Sequence, residues 1–264
     1  MTDLIDVQGG CAQIEIGIDK VGITNLILPL KIQTGSGVQN VVAEIDALGS
    51  LSKTERGAHM SRTARILNDC VKKTIDHNTV IQITKDLKQQ LHSENINLKI
   101  KFTLFRKKFS PITKNYSYIN YDCWINADMT HKFSMSLGTS VLITSLCPVS
   151  KSISKFGAHN QRGEVVVVAE ILDNNFWFDN FIELIEKNSS SEMYGVLKRE
   201  DEKFVTETAY KNPKIVEDIV RSIAKELRSN KKLGKWSVSC KNFESIHTHN
   251  AYAEIIGESN GRRN

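Results

Sequence analysis

Cys147 and His159, twelve positions apart, are the pair in this sequence whose side chains are best suited to chemistry. They sit in two polar strings, Ser145-Leu146-Cys147-Pro148-Val149-Ser150-Lys151 and Gly157-Ala158-His159-Asn160-Gln161-Arg162. A thiolate and an imidazole meeting across a loop can hold a zinc-like ion. Two donors do not complete such a site, so further ligands must come from elsewhere. Lys198-Arg199-Glu200-Asp201-Glu202-Lys203 gathers six charges, and Asn242-Phe243-Glu244-Ser245-Ile246-His247-Thr248-His249 places a carboxylate and two imidazoles in one short run. Together they suggest a Cys/His/carboxylate metal site in an enzyme with an anionic substrate. The plainer readings are a packed apolar thiol, a hydrogen-bonding loop histidine, a solvated charged turn and a strand histidine on a polar face.

These residues need elements to position them. Ser136 to Leu146 and Glu164 to Ile171 read as strands on either side of the Cys147–His159 loop. The last strands are Lys235 to Phe243 and Ile246 to Ile256, which would put His247, His249, Ala251 and Ala253 on one face. Upstream, residues 1–35 begin as an irregular arm with a short alternating stretch at Ile14, Ile16 and Ile18. Ile23 to Gln33 and Val38 to Leu48 form a hairpin about Gly35-Ser36-Gly37, with Pro29 tolerated near an edge. Met60, Ala64, Leu67, Val71 and Ile75 mark one face of a helix. Lys53, Arg56, His59 and Arg62 precede or open it, and its first N–H groups could hold phosphate; the alternative is an ordinary basic loop. Thr79 to His92 is a second helix, capped by Asn78 or Thr79.

Asn97 to Lys107 alternates as a half-solvated strand, and Asn115 to Asp128 and Met129 to Leu146 follow as strands. Trp177 to Lys187 is a helix with Phe178, Phe181, Ile182 and Ile185 inside. Pro213 stands near the start of another, with Val216, Ile219, Val220, Ile223 and Leu227 inside. The order of elements predicts an α+β protein of two similar modules, residues 1–130 with the arm and residues 131–264, whose junction would favour clefts.

The composition of the 264 residues, 40% hydrophobic and 25% charged, is that of a globular protein. No apolar run approaches the length of about eighteen residues that a membrane span needs. Met1 to Gln8 carries two aspartates and no basic residue, unlike a secretory or mitochondrial leader. Five scattered cysteines without a CxxC predict reduced thiols and a cytoplasmic protein. A net charge of +5 favours anionic ligands but is too small to argue for nucleic acid. Arg106-Lys107-Lys108 and Lys231-Lys232 read as solvated surface, and Asn260 to Asn264 as a disordered tail.

Five strings in this order resemble the type B GTP cyclohydrolase I family, the alternative, metal-promiscuous form of the enzyme that opens folate synthesis. They are Gly57-Ala58-His59-Met60-Ser61-Arg62, Ser145-Leu146-Cys147-Pro148, Gly157 to Arg162, Leu197 to Glu207 and Glu244-Ser245-Ile246-His247-Thr248-His249. The resemblance spans nearly the whole chain. It implies the tunnelling fold, in which antiparallel sheets backed by helices surround a channel, with two tandem modules per chain. It also implies a homotetramer with active sites at subunit boundaries; the small net charge and the lack of a long apolar run leave no case for a nucleic-acid or membrane partner.

The implied reaction converts GTP and water to formate and 7,8-dihydroneopterin triphosphate, assisted by one divalent zinc, manganese or iron ion per site. An archaeal relative would instead end at a cyclic phosphate, and a purine-binding protein on the same scaffold would release no formate. The ligand set carries over onto Cys147, His159 and Glu202, although Glu200 is only two residues away. His247 would move protons, since imidazoles titrate near neutrality, and His249 could assist or pack. Glu244 would accept from the N1–H and 2-amino group of guanine. Lys53, His59, Ser61, Arg62, Lys151, Arg162, Lys198 and Arg199 are the candidates for the triphosphate. The sequence departs from the family pattern at Val149, where a second cysteine is common, at Ala58, where threonine is common, and at Arg56, where lysine is common.

Overall fold

A computed structural model describes residues 8–260 of the chain. The readings of the leader and of the final residues 261–264 lie largely outside that range. The described elements run β1 (Ile18–Thr34), β2 (Gly37–Leu51), α1 (Met60–Cys70), β3 (Thr74–Ile75), α2 (His77–Gln90), β4 (Ile96–Phe109), β5 (Tyr116–Met129), β6 (Phe133–Leu146), α3 (Pro148–Ile153), β7 (Asn160–Ile171), α4 (Phe178–Lys187), α5 (Arg199–Lys211), α6 (Val216–Ser229), β8 (Leu233–Asn242) and β9 (Ala251–Glu258). Hydrogen-bonded neighbours follow the order β3-β1-β2-β4-β5-β6-β7-β8-β9. Two compact units result. One holds the chain through Phe102 together with Trp124–Ser136; the other holds Thr103–Cys123 and the chain from Leu137 onward.

In the first unit, β1 and β2 form the expected hairpin, pairing Thr34 with Gly37 and Leu30 with Val41. Gly37 has φ +122°, a conformation open to glycine but strained for residues with a Cβ. Pro29 sits in β1, which on its outer side pairs, among the described residues, with the two-residue β3 at Lys31 and Ile32. β2 then pairs antiparallel with β4, Ile45 opposite Ile100. Leu30, Ile32, Ala43, Ile45, Leu98 and Ile100 are buried, as are Leu67 of α1 and Val80, Ile83 and Leu87 of α2. The helix predicted to run through Ile75 ends at Cys70, and Ile75 is buried in β3 instead. Its apolar spacing continues past the helix because a strand residue also needs a core-facing side chain. The second helix begins at His77, and its cap is Asp76, whose carboxylate accepts from the Thr79 N–H at 2.7 Å.

The second unit carries the candidate chemistry. β7, β8 and β9 are antiparallel neighbours, with Val167 opposite Val238 and Cys240 opposite Ala253. α6 packs on β8 and β9. The apolar spacing predicted its buried Val216, Ile219, Val220, Ile223 and Leu227, to which the structure adds Ala224, and the buried Phe178, Phe181, Ile182 and Ile185 of α4. The strand predicted from Met129 to Leu146 is interrupted: β5 closes at Met129, and β6 opens at Phe133 after a turn in which the Thr130 N–H donates to the Lys132 carbonyl.

Between β7 and β8 the sequence predicted two helices, and the structure has three. The extra helix, α5, contains the charged run. Its first turn presents Glu200, Asp201 and Glu202 near the positive end of the helix dipole. Asp201 is fully buried. Its carboxylate accepts from the N–H groups of Lys198 (3.0 Å), Ile112 (2.9 Å) and Thr113 (2.9 Å), and from the Thr113 hydroxyl. Burial pushes this carboxyl's pKa up, but the hydrogen bonds outweigh it and hold the group well below the usual carboxylate range. Asp201 thus ties the start of α5 to the turn between β4 and β5.

Candidate active site

The Cys147–His159 loop is closed by its own backbone. The Cys147 N–H donates to the His159 carbonyl at 3.1 Å, so the end of β6 and the start of β7 hold the two residues together. Pro148 opens α3 and Cys147 caps it, its Sγ accepting from the Ser150 N–H at 3.4 Å. Ser150 links both strings: its hydroxyl donates to the Cys147 carbonyl at 3.1 Å and accepts from the His159 N–H at 3.2 Å. Two polar strings that look unrelated in sequence become one braced turn.

Cys147 and His159 line a cavity of about 440 Å³ together with Glu244, His247 and His249. Residues that sequence reasoning had not assigned also line it: Ser145, Gln161, Asn242 and Glu217. His159 Nδ1 stands 2.9 Å from Gln161 Oε1 and 3.9 Å from Glu244 Oε2. Only 13% of the His159 side chain and 11% of the Glu244 side chain are exposed, so this cluster is shielded from water.

His247 and His249 occupy a loop instead of a strand; β9 begins only at Ala251. Alternating His-Thr-His residues look like a strand face, yet here the chain turns between Asn242 and Ala251. The two rings stack instead, with centroids 5.0 Å apart and planes inclined by 20°.

Glu202 does not join the cavity. It is exposed in the first turn of α5. Glu200 and Glu202, two apart on a regular helix, face different directions and cannot serve one cleft together. Among the described residues no group of three His, Cys, Asp or Glu side chains is placed to hold a metal ion. Cys147 and His159 nevertheless fit two positions of such a site. One offers sulfur, the other an imidazole whose Nδ1 is already engaged, leaving Nε2 as the donor.

The proposed triphosphate residues divide between the units. In the first, Lys53 follows β2, His59 caps α1 without a side-chain hydrogen bond, and Ser61 and Arg62 lie in its first turn. Arg62 Nη1 donates to the Gln90 carbonyl at 3.3 Å. In the second, Lys151 closes α3 with Nζ donating to the Tyr210 carbonyl at 2.6 Å and standing 4.3 Å from the Tyr210 ring centroid. Arg162, Lys198 and Arg199 are exposed, and none of these four lines the cavity. Val149, at the family's second cysteine position, is 59% exposed on α3.

Of the residues not foreseen, Gln161 had a signal, since it belongs to the Gly157–Arg162 string. Glu217 had none, because it lies in the first turn of a helix read only for its apolar face.

A family model described as Type I GTP cyclohydrolase FolE2 matches residues 4–253. The GTP cyclohydrolase FolE2 of Syntrophobacter fumaroxidans is 39% identical over 255 residues, covering 96% of this chain and 98% of that protein. The GTP cyclohydrolase FolE2 of Thermosipho melanesiensis is 42% identical over 250 residues, covering 94% and 96%. Among solved structures, uricase from Arthrobacter globiformis aligns with a TM-score of 0.54 over 96% of this chain and 98% of its own, at 9% identity. That similarity shows the fold alone, an antiparallel sheet backed by helices of the tunnelling type. The chain belongs to the type I GTP cyclohydrolase FolE2 family.

Proposed function

We propose that this protein opens the imidazole ring of GTP, releases C8 as formate and closes a pterin ring, giving 7,8-dihydroneopterin triphosphate. The observation that carries the reading is the cavity that joins Cys147, His159, Glu217, Glu244 and His247 within a chain of this family. Cys147 and His159 would hold a divalent ion (zinc, manganese or iron), with Glu202 as the third donor once copies of the chain assemble. Such an ion supplies a nucleophile of hydroxide strength near neutral pH.

The remaining roles belong to side chains. Guanine presents N1–H and a 2-amino group side by side, and a carboxylate can accept both. Glu244 is the sequence-based candidate, but it faces His159. Glu217 lines the same cavity and makes no side-chain hydrogen bond among the described residues, so its oxygens are free for the purine edge. His247, on the exposed loop, exchanges protons as the ring opens, and the stacked His249 orients it. The triphosphate falls to Lys53, His59, Ser61, Arg62, Lys151, Arg162, Lys198 and Arg199, contributed by neighbouring copies of the chain. The assembly is a homotetramer of tandem modules, residues 1–130 and 131–264, with sites at subunit boundaries.

A donor set of only Cys147 and His159 among the described residues also fits a second reading, a purine- or pterin-binding protein on the same scaffold. Mass analysis of the products from GTP tests both. A dihydroneopterin triphosphate with one formate per turnover supports the proposal. A cyclic phosphate would assign the reaction to the branch that stops there, and bound but unchanged GTP with every metal would leave the binding protein.

A further inference from the structure

We propose that Ser145 is a positioning residue that sets the tautomer of His159 through Gln161. The inference deepens the proposed function and rests on His159 being a metal ligand. Ser145 is fully buried at the end of β6. Its hydroxyl meets three partners: the Lys214 carbonyl at 2.9 Å, Asn242 Nδ2 at 2.8 Å and Gln161 Nε2 at 3.4 Å. A carbonyl only accepts, so the single hydroxyl proton goes to Lys214. Toward Asn242 and Gln161 the Ser145 oxygen can then only accept, and both amides must turn their NH2 groups to it.

With its nitrogen committed to Ser145, Gln161 aims Oε1 at His159 Nδ1, 2.9 Å away. That oxygen can only accept, so Nδ1 carries the proton and Nε2 keeps its lone pair. Glu244 Oε2, 3.9 Å from Nδ1, favours a proton at the same atom. Gln161 and Asn242 are 8% and 2% exposed, so little water competes for these bonds. Asn242 is itself pinned. Its Oδ1 faces the Cys240 thiol at 3.8 Å, and a Cβ at position 163 would lie 2.6 Å from the same oxygen, which is why Gly163 fits there.

The arrangement offers a neutral imidazole whose free nitrogen needs no tautomer change before it binds a metal. The groups that orient a ligating histidine typically contribute about 10- to 100-fold in metal affinity. Removing the Ser145 hydroxyl frees the Gln161 amide to take both orientations, and in the flipped one its NH2 faces Nδ1 and the proton sits on Nε2.

The test uses the full chain labelled with ¹⁵N-histidine and stripped of metal, with H159N identifying the His159 signals. Wild type is expected to show Nδ1–H and a bare Nε2, S145A a mixture of tautomers, and S145T the wild-type state. Cobalt titration, read through the Cys147 thiolate-to-cobalt absorption, is expected to weaken about 10- to 100-fold in S145A and to recover in S145T. If S145A fails to fold, Q161L is expected to lose the preference and Q161E, whose carboxylate still accepts from Nδ1, to keep it. An Nε2–H tautomer in wild type, an unchanged tautomer in folded S145A or, where S145A does not fold, an unchanged tautomer in Q161L overturns the proposal. Wild-type Nδ1–H without any cobalt binding would uphold the tautomer assignment and remove the metal reading instead.

Discussion

The backbone N–H of Cys147 donates to the carbonyl of His159 at 3.1 Å, and this one bond fixes the spacing of the two proposed metal donors. Neither side chain is needed to form it. C147A and H159A should therefore fold, with thermal midpoints close to wild type, because neither side chain belongs to the buried apolar core. Both should lose metal-dependent formate release by about 100- to 1,000-fold, the order expected when a group acting directly on the reacting centre is removed. A thermal midpoint far below wild type in either variant would show that the pair is structural.

Glu217 and Glu244 can be separated by their effect on guanine recognition. E217Q should cut kcat/KM for GTP by about 10- to 100-fold, since a charged hydrogen bond contributes about 1.5–3 kcal/mol. It should also narrow the preference for GTP over inosine triphosphate, which lacks the 2-amino group. E244Q, acting beside His159, should lower kcat more than it raises KM. The reverse pattern would return the purine edge to Glu244.

Asp201 makes a prediction about pH. Its hydrogen bonds hold the folded-state pKa below the unfolded value of about 3.9. The stability it contributes is present above that unfolded value and is lost as pH falls through the folded one. D201N should lower the thermal midpoint at pH 7 and flatten the loss of stability below about pH 4. A D201N variant with the wild-type acid profile would contradict the assignment of this carboxylate as the clamp on α5.

Lys198 and Arg199 are exposed at the start of α5, so any contribution they make to phosphate binding should be sensitive to salt. K198A/R199A should raise KM for GTP about 10-fold at low ionic strength and less at 0.5 M salt, with kcat little changed. An effect on kcat alone, independent of salt, would place the pair outside phosphate binding.

Much of the fold was legible because its elements bury one clear face. β4 alternates Leu98, Ile100, Phe102 and Leu104 with less buried residues, and α4 and α6 carry apolar stripes. α5 left no such trace. Its buried residues are Asp201 and Ala209, so periodicity had nothing to register, and the carboxylate that packs inside looked like part of a solvated run. The same blindness hid the difference between buried Asp201 and exposed Glu202, since chemically similar neighbours are told apart only by the turn they pack on. Cys147, His159, Glu244 and His247 were named from their types and strings, and all four line one cavity. Glu217 and the Ser145–Gln161–Asn242 set were not, because their contribution depends on which groups face each other across strands that are distant in sequence.

Every role assigned above depends on metal-dependent ring opening of GTP. The most direct test is formate release and pterin fluorescence from GTP with metal-stripped protein, after adding back manganese, zinc or ferrous iron. Metal-dependent ring opening predicts no formate without metal, its recovery with at least one of these ions, and one formate for each pterin formed. A folded protein that binds GTP yet releases no formate with any of the three would contradict it.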